Sequence, residues 1–134
     1  MMRKYALNQG SKLLRKLVFH LNRAALLHDP DSIHDVRVAI RRFQQFLSVF
    51  EQFVPRGKAK KIRRQLREVM ELSGEVRNPD IASALLKQAG GAHHSQLSMK
   101  LARQRKQAQD KLLKSINGLN ERGSARKWHS RLKL

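Results

Sequence analysis

The chain has 134 residues, of which 29 are lysine or arginine and only 10 are aspartate or glutamate, and its formal net charge is +19. A charge of this size is usually neutralised by a polyanion. It indicates nucleic acid, polyphosphate or an anionic membrane surface as the partner and argues against small neutral substrates. The absence of cysteine excludes disulfides, thiolate zinc sites and cysteine nucleophiles.

Length and hydrophobicity indicate one folded domain over residues 1–134. Hydrophobic residues make up 40% of the chain, and they recur at regular intervals, which disordered basic tails lack. No apolar run approaches the roughly 20 residues that a membrane span requires. The segment Met1–Gly10 also lacks the apolar core of a secretory signal. We therefore expect a cytoplasmic or nucleoid-associated protein.

Proline and glycine divide the chain into segments that all have helical period. The first helix is predicted over about 3 to 28 and the second over about 32 to 54, with Asp31 or Ser32 as its N-cap. A third helix is predicted over about 58 to 73, a break at Gly74–Pro79, and a short fourth helix over about 80 to 89. After Gly90–Gly91, a fifth helix over about 95 to 117 precedes a terminal segment that contains Trp128. The predicted fold is an all-α, antiparallel bundle of about four long helices plus short helical segments.

Four of these helices combine an apolar stripe with a separate basic row. Successive turns of a helix rise by about 5.4 Å, so such a row can follow a repeating anionic chain. The alternative is a solvated face, but a solvated face normally mixes charges of both signs. The rows consist of Lys4, Lys12, Arg15 and Arg23 on the first helix, His34, Arg37 and Arg41 on the second, Lys60, Arg63, Arg64 and Arg67 on the third, and Lys100, Arg103, Lys111 and Lys114 on the fifth.

Two segments resemble the motifs of a known family. Residues Ile33–Phe43 read I-H-D-V-R-V-A-I-R-R-F and resemble the signature helix of the CHAD family, the conserved histidine α-helical domain, with its pattern H-x-x-R-V-x-x-x-R-R. Residues Leu72–Ile81 read L-S-G-E-V-R-N-P-D-I and are similar to its second motif, L-G-x-x-R-D-x-D-V, with Asn78 where an aspartate is usual. The resemblance covers residues 1–134 in helix order and corresponds to one of the family's usual two repeats.

The resemblance implies binding of inorganic polyphosphate without catalysis, in a fold of two pseudo-symmetric four-helix bundles around a basic cavity. It also implies an association with polyphosphate granules. The signature supplies His34, Arg37, Arg41 and Arg42, and the second motif supplies Arg77 together with Asp80. With members of the basic rows added, the candidate polyphosphate-binding residues are His34, Arg37, Arg41, Arg42, Lys60, Arg64, Arg67, Arg77, Lys100, Arg103, Lys111, Lys114, Lys12 and Arg15.

Some of these roles have alternatives. His34 could instead pack near Asp31 or Asp35, and Arg42, which lies off the stripe, could pair with an acid. Because the chain matches one repeat, a C2 homodimer is expected to rebuild the family's arrangement. Repulsion should make this dimer weak alone, and polyphosphate should strengthen it; the alternative is a monomer.

Enzymatic and metal sites are not expected. The carboxylates are dispersed, and the H-E-x-x-H, G-x-x-x-x-G-K-[ST] and G-x-S-x-G motifs are all absent, so we predict no catalysis and no cofactor. The adjacent pair His93–His94 would point apart on a helix, which argues against a metal site. The single residues His20, His28 and His129 are predicted on helix surfaces.

Nucleic acid is the alternative partner. Only seven aromatic residues are present, and those of the second helix are spaced for a core rather than for base stacking, which leaves Tyr5 and Trp128 as exposed candidates. Binding of a DNA or RNA backbone without sequence specificity needs no aromatic residue. A third hypothesis is an adaptor for an acidic protein or an anionic membrane surface.

Overall fold

A computed structural model of the protein describes residues 2–90 and 95–134, apart from the side chain of Ser124. The helices are α1 (Met2–Leu27), α2 (Pro30–Val49), α3 (Arg56–Gln88), α4 (Gln96–Glu121) and α5 (Ser124–Arg131), with a short 3-10 turn at Glu51–Phe53. The prediction of an all-α bundle is confirmed. No helix in the described part of the chain is long and apolar enough to cross a membrane.

Helices α1 to α4 pack in sequence order, and α1 also contacts α4, so the four helices enclose a common core. Short α5 packs against α4 and α1. The apolar stripes predicted from the sequence meet in this core, where Leu14, Phe43, Leu66 and Ile116 are fully buried. The prediction for Trp128 is wrong, because its side chain is also fully buried in the core.

The start of α2 differs from the predicted one. The N-cap is Asp29, whose Oδ1 accepts a hydrogen bond of 2.9 Å from the backbone N–H of Ser32. Proline is favoured at the first helical position, where its missing N–H is not needed, so Pro30 starts the helix and the cap moves to the preceding residue. Neither Asp31 nor Ser32 is therefore the N-cap.

The predicted break at Gly74–Pro79 is also wrong, because α3 continues from Arg56 to Gln88 with Pro79 inside it. Proline removes the N–H that would bond to the carbonyl of Glu75, and in a helix interior it costs about 3 kcal/mol relative to alanine. Packing compensates for this loss, since α3 lies along α4, and Val76 and Pro79 are buried. Local propensity is overridden by tertiary contacts.

Arg105 joins α4 to α3 and to the turn between α1 and α2. Its guanidinium donates from Nε to Asp80 of α3 at 2.5 Å, from Nη1 to Gln109 at 2.7 Å and from Nη2 to the carbonyl oxygen of His28 at 2.5 Å. His28 is half-buried in the left-handed turn between α1 and α2, rather than on a helix surface as predicted. Asp80, placed in the second motif by the resemblance, therefore joins α3 to α4.

Candidate functional site

Arginines from two neighbouring helices converge on the groove between α2 and α3. Helical spacing puts Arg37 and Arg41 on the flank of α2 that faces α3. The same spacing puts Arg63, Arg67 and Arg77 on the flank of α3 that faces α2. The contacts of Arg37 and Arg63 across the groove confirm this register. We call these five residues the arginine groove.

Arg37 is the anchored member of the groove. Its Nη1 donates to the carbonyl oxygen of Met70 at 2.7 Å and to Ser73 Oγ at 2.9 Å, and Ser73 Oγ donates to the same carbonyl oxygen at 2.9 Å. A Cβ on Gly74 would lie 3.1 Å from Nη1, so glycine is what allows this close approach. Within the described part of the chain, Nε and Nη2 of Arg37 make no hydrogen bond. The anchored side chain thus keeps donors for a further ligand.

The charge of the groove is not compensated by acids. Burial lowers the pKa of Arg37, and the nearby cations Arg41 and Arg77 lower it further. Among residues 2–90 and 95–134, ion pairs join only Arg23 to Asp35, at 3.9 Å, and Arg105 to Asp80. Mutual repulsion of this kind is relieved when an anion enters, so the groove is electrostatically suited to one.

The groove continues toward the other end of α2. There Arg63 Nη2 donates to Ser48 Oγ at 3.1 Å, and a pocket of about 270 Å³ is lined by Arg63, Arg67, Ser48 and Gln44. An adjoining pocket of about 220 Å³ contains Lys60 together with Glu51. Lys60 therefore neighbours the groove but shares its pocket with a carboxylate.

A second basic pocket lies on the other flank of α2, against α1. Its volume is about 320 Å³, and its basic lining residues are Lys16 and His20 of α1 and His34 and Arg42 of α2. We call these four residues the histidine pocket. His20 is not a surface histidine as predicted, because its Nδ1 is buried, with no hydrogen-bond partner in the described structure. His34 is exposed and lines this pocket together with Asp35, but among the described residues it forms no ion pair with that carboxylate.

Asp35 also lines the histidine pocket, where its carboxylate is 3.9 Å from Arg23 of α1. The alternative for Arg42, pairing with an acid, is not what the described residues show, since the ion pair of Asp35 is with Arg23. His34 lies at the edge of the pocket that is nearer to the groove, because its helical position is between Arg41 of the groove and Arg42 of the pocket.

The remaining candidates lie on other surfaces. Lys12 is exposed on the outer face of α1, and Arg15 borders a pocket between α1 and α5. Arg64 is exposed on the outer face of α3. On α4, the row points away from Arg105 and is exposed along its length, at Lys100, Arg103, Lys111 and Lys114. The predicted rows are thus real faces of helices, but they do not form one site.

Three functional candidates were missed. Arg63 belongs to a predicted row but was not selected, and Lys16 and His20 were not assigned to a site. The i, i+4 spacing of Lys16 and His20, beside the buried Leu17, could have indicated a shared flank of α1. In the described residues there is no group of three or more metal-ligating side chains, and His93–His94 lies outside them.

The sequence matches the CHAD domain over residues 9–133, which is nearly the whole chain. No significant match was found among curated proteins or among solved structures. The matched range contains both motifs, the arginine groove and the histidine pocket. The chain therefore belongs to the CHAD domain family.

Proposed function

We propose that the protein binds inorganic polyphosphate without catalysing its conversion, with the arginine groove as the main contact surface. CHAD domains are associated with polyphosphate binding. The observation that carries the proposal is that Arg41 and Arg77 lie near the anchored guanidinium of Arg37. In the described part of the chain, no acid forms an ion pair with any of the three.

The chemistry of the groove suits a phosphate chain. A guanidinium is a planar fork of donors and binds phosphate oxygens through paired hydrogen bonds. The groove runs along two helices, so its cations follow one another in a line, as the phosphates of the ligand do. His34 extends the basic surface over α2 to the histidine pocket, where Lys16 and Arg42 add two more cations.

Inorganic polyphosphate is favoured over nucleic acid by the composition of the groove. The described residues that line its pocket are polar, basic or methionine, and none is aromatic. Bases in single strands are bound mainly by stacking on aromatic side chains, and this surface offers none. A DNA or RNA backbone remains the competing ligand, since phosphate neutralisation alone suffices for it.

A competition at fixed ionic strength tests the ligand class. Long-chain polyphosphate, duplex DNA, single-stranded RNA and heparin compete for the protein at equal concentrations of anionic groups. Polyphosphate should displace DNA. Its own affinity should fall steeply as salt is added, because binding releases counterions from the polyanion and this release is less favourable at high salt. Equal or tighter binding of DNA would contradict the proposal and support the nucleic-acid alternative.

A pair of charge-matched variants tests the site. Removing two charges from the groove, with Arg41→Gln and Arg67→Gln, should weaken polyphosphate binding by about tenfold or more, because charge-assisted hydrogen bonds contribute roughly 1.5–3 kcal/mol each. The control removes two exposed charges elsewhere, with Lys4→Gln and Lys133→Gln. Circular dichroism checks that both variants remain helical. Equal losses in the two variants would mean that binding is diffuse and that the groove is not the site.

A further inference from the structure

A pocket of about 630 Å³ lies between α1, the end of α4 and α5. Since the helices pack in ring order, this pocket is on the opposite side of the bundle from the arginine groove. Gly123, with a φ of 65°, provides the left-handed turn that folds α5 back toward α1. We call this cavity the α1/α5 pocket. Its volume is within the usual range of about 300–1,000 Å³ for small-molecule sites.

One wall of the α1/α5 pocket is apolar. Val18 and Phe19 contribute from α1, and Ala125 contributes from α5. Phe19 is 60% exposed, although a phenylalanine on a helix of this bundle would ordinarily face the core. An exposed aromatic ring that borders a concave pocket offers a surface on which an apolar group can pack.

The other part of the pocket is cationic. Arg15 of α1 and Arg126 and His129 of α5 line it, and none of its described lining residues is acidic. Arg15 Nη1 donates a hydrogen bond to Ser11 Oγ at 3.0 Å. Burial lowers the pKa of His129, and the neighbouring Arg15 lowers it further. Positive charge beside an apolar wall selects a ligand that combines an anionic group with an apolar body.

We propose that the α1/α5 pocket binds a small organic anion with an apolar body, such as a medium-chain carboxylate. The chain packs on Phe19 and Val18, and the carboxylate accepts hydrogen bonds from Arg15 and Arg126. Inorganic polyphosphate has no apolar surface and would leave the Phe19 wall without a partner. The site is separate from the arginine groove, which α2 and α3 form, and it shares α1 but no lining residue with the histidine pocket.

Three probes of the same chain length separate charge from apolar contact. Binding of decanoate, decanol and decyltrimethylammonium is measured by titration calorimetry, with fluorescence of Trp128 in α5 as a second signal. Decanoate should bind saturably at one site per chain. Decanol should bind at least fivefold more weakly, and the cationic probe should not bind.

Variants locate the binding site. Phe19→Ala and Arg126→Gln should each weaken decanoate binding at least fivefold. Tyr5→Ala and Arg3→Gln, which remove an exposed ring and an exposed cation from another part of α1, should change it less than twofold. Urea unfolding checks that all four variants are folded. Equal effects of the pocket variants and the controls would overturn the proposal.

The pH dependence gives a second readout. Within the described lining of the pocket, the charged groups beside His129 are Arg15 of α1, whose charge acts on His129, and Arg126 of α5, while α4 contributes the neutral Asn120. A bound carboxylate favours the imidazolium form, so decanoate should bind more tightly at pH 5.5 than at pH 8. His129→Gln should remove most of this increase.

Two outcomes would overturn the proposal even if decanoate binds. The first is uptake of several molecules per chain without saturation, which is adsorption driven by net charge. The second is a loss of decanoate affinity in the groove variant, with Arg41→Gln and Arg67→Gln, that equals the loss in the pocket variants. If polyphosphate does not bind the protein, the proposed function is wrong, but the decanoate measurements still test the α1/α5 pocket, because they contain no polyphosphate.

Discussion

Arg37 differs from the other arginines of the groove in how much of its side chain the fold already uses. Nη1 is committed to Met70 and Ser73, while Nε and Nη2 make no hydrogen bond in the described part of the chain. An arginine fixed in this way loses little conformational entropy when a ligand binds. The S-G pair at Ser73–Gly74 is therefore explained by packing: the hydroxyl accepts from Arg37, and the glycine makes room for it.

Two glycines of α3 allow a matched test of this explanation. Alanine is normally favoured over glycine inside a helix by roughly 0.5–1 kcal/mol. Gly57 lies in the first turn of α3, and no described atom lies within 4 Å of a Cβ there, so Gly57→Ala should raise the free energy of unfolding by less than about 1 kcal/mol. Gly74→Ala should raise it less or lower it, because the new methyl group displaces Arg37. Urea denaturation measures both values.

The same glycine variants have different consequences for binding. Gly74→Ala should weaken polyphosphate binding, whereas Gly57→Ala should leave it unchanged, since Gly57 contacts no groove residue. Equal stabilisation by the two alanines, with unchanged affinity in both, would show that the approach of Arg37 to Gly74 has no role.

At the scale of the helices, the α3–α4 pair depends on the contact of Arg105 with Asp80. The Asp80 side chain is only 9% exposed, and in the described structure its Oδ2 is buried without a hydrogen-bond partner, so Arg105 is the cation that compensates this carboxylate. Removing one partner of a buried ion pair typically costs about 3–5 kcal/mol, because the other charge is left uncompensated.

Arg105→Met should therefore lower the free energy of unfolding by about 2–4 kcal/mol, since this pair is partly exposed to solvent. Arg103→Met removes the same charge from an exposed position on α4, and surface changes of this kind usually stay within about 0.5 kcal/mol. Adding Asp80→Asn to Arg105→Met should recover part of the loss. If Arg103→Met and Arg105→Met lowered the free energy of unfolding equally, the contact between Arg105 and Asp80 would contribute nothing to stability.

These elements also indicate how much the sequence alone can predict. The apolar periodicity predicted α1, α2, α4 and their buried faces, because it records which side of each helix avoids water. The break at Pro79 was wrong because proline propensity is a local property, whereas α3 is held by α4 and Arg105. Helical spacing predicted that Arg37 and Arg41 share one stripe of α2, whereas Arg77 was assigned only by the resemblance, within the predicted break. Which faces meet depends on packing between helices.

For the whole molecule, the absence of catalysis is a prediction that follows from the dispersed carboxylates and the missing nucleophile motifs. Incubation with polyphosphate and magnesium should release no orthophosphate above the background of buffer alone. A turnover that disappears in His34→Ala would contradict this prediction, and it would make His34 a catalytic base.

The net charge of +19 also governs how two molecules meet. Like charges of this size repel, so the free protein should have a monomeric mass at low concentration. A polyphosphate chain longer than one groove offers phosphates to a second molecule, and a ligand shared between two grooves stabilises the pair by mass action. We therefore expect a weak homodimer that strengthens when polyphosphate lies between the two bundles, in an isologous C2 arrangement.

Light scattering at low and high protein concentration, with and without short-chain polyphosphate, measures this coupling. The mass should rise toward the dimer when ligand is added at about one chain per two proteins. It should fall again in a large excess of ligand, because each protein then binds its own chain. The groove variant with Arg41→Gln and Arg67→Gln should need more ligand to dimerise, although it repels itself less. A monomeric mass under all four conditions would contradict the dimer and support the alternative, a monomer whose charge no second molecule helps to neutralise.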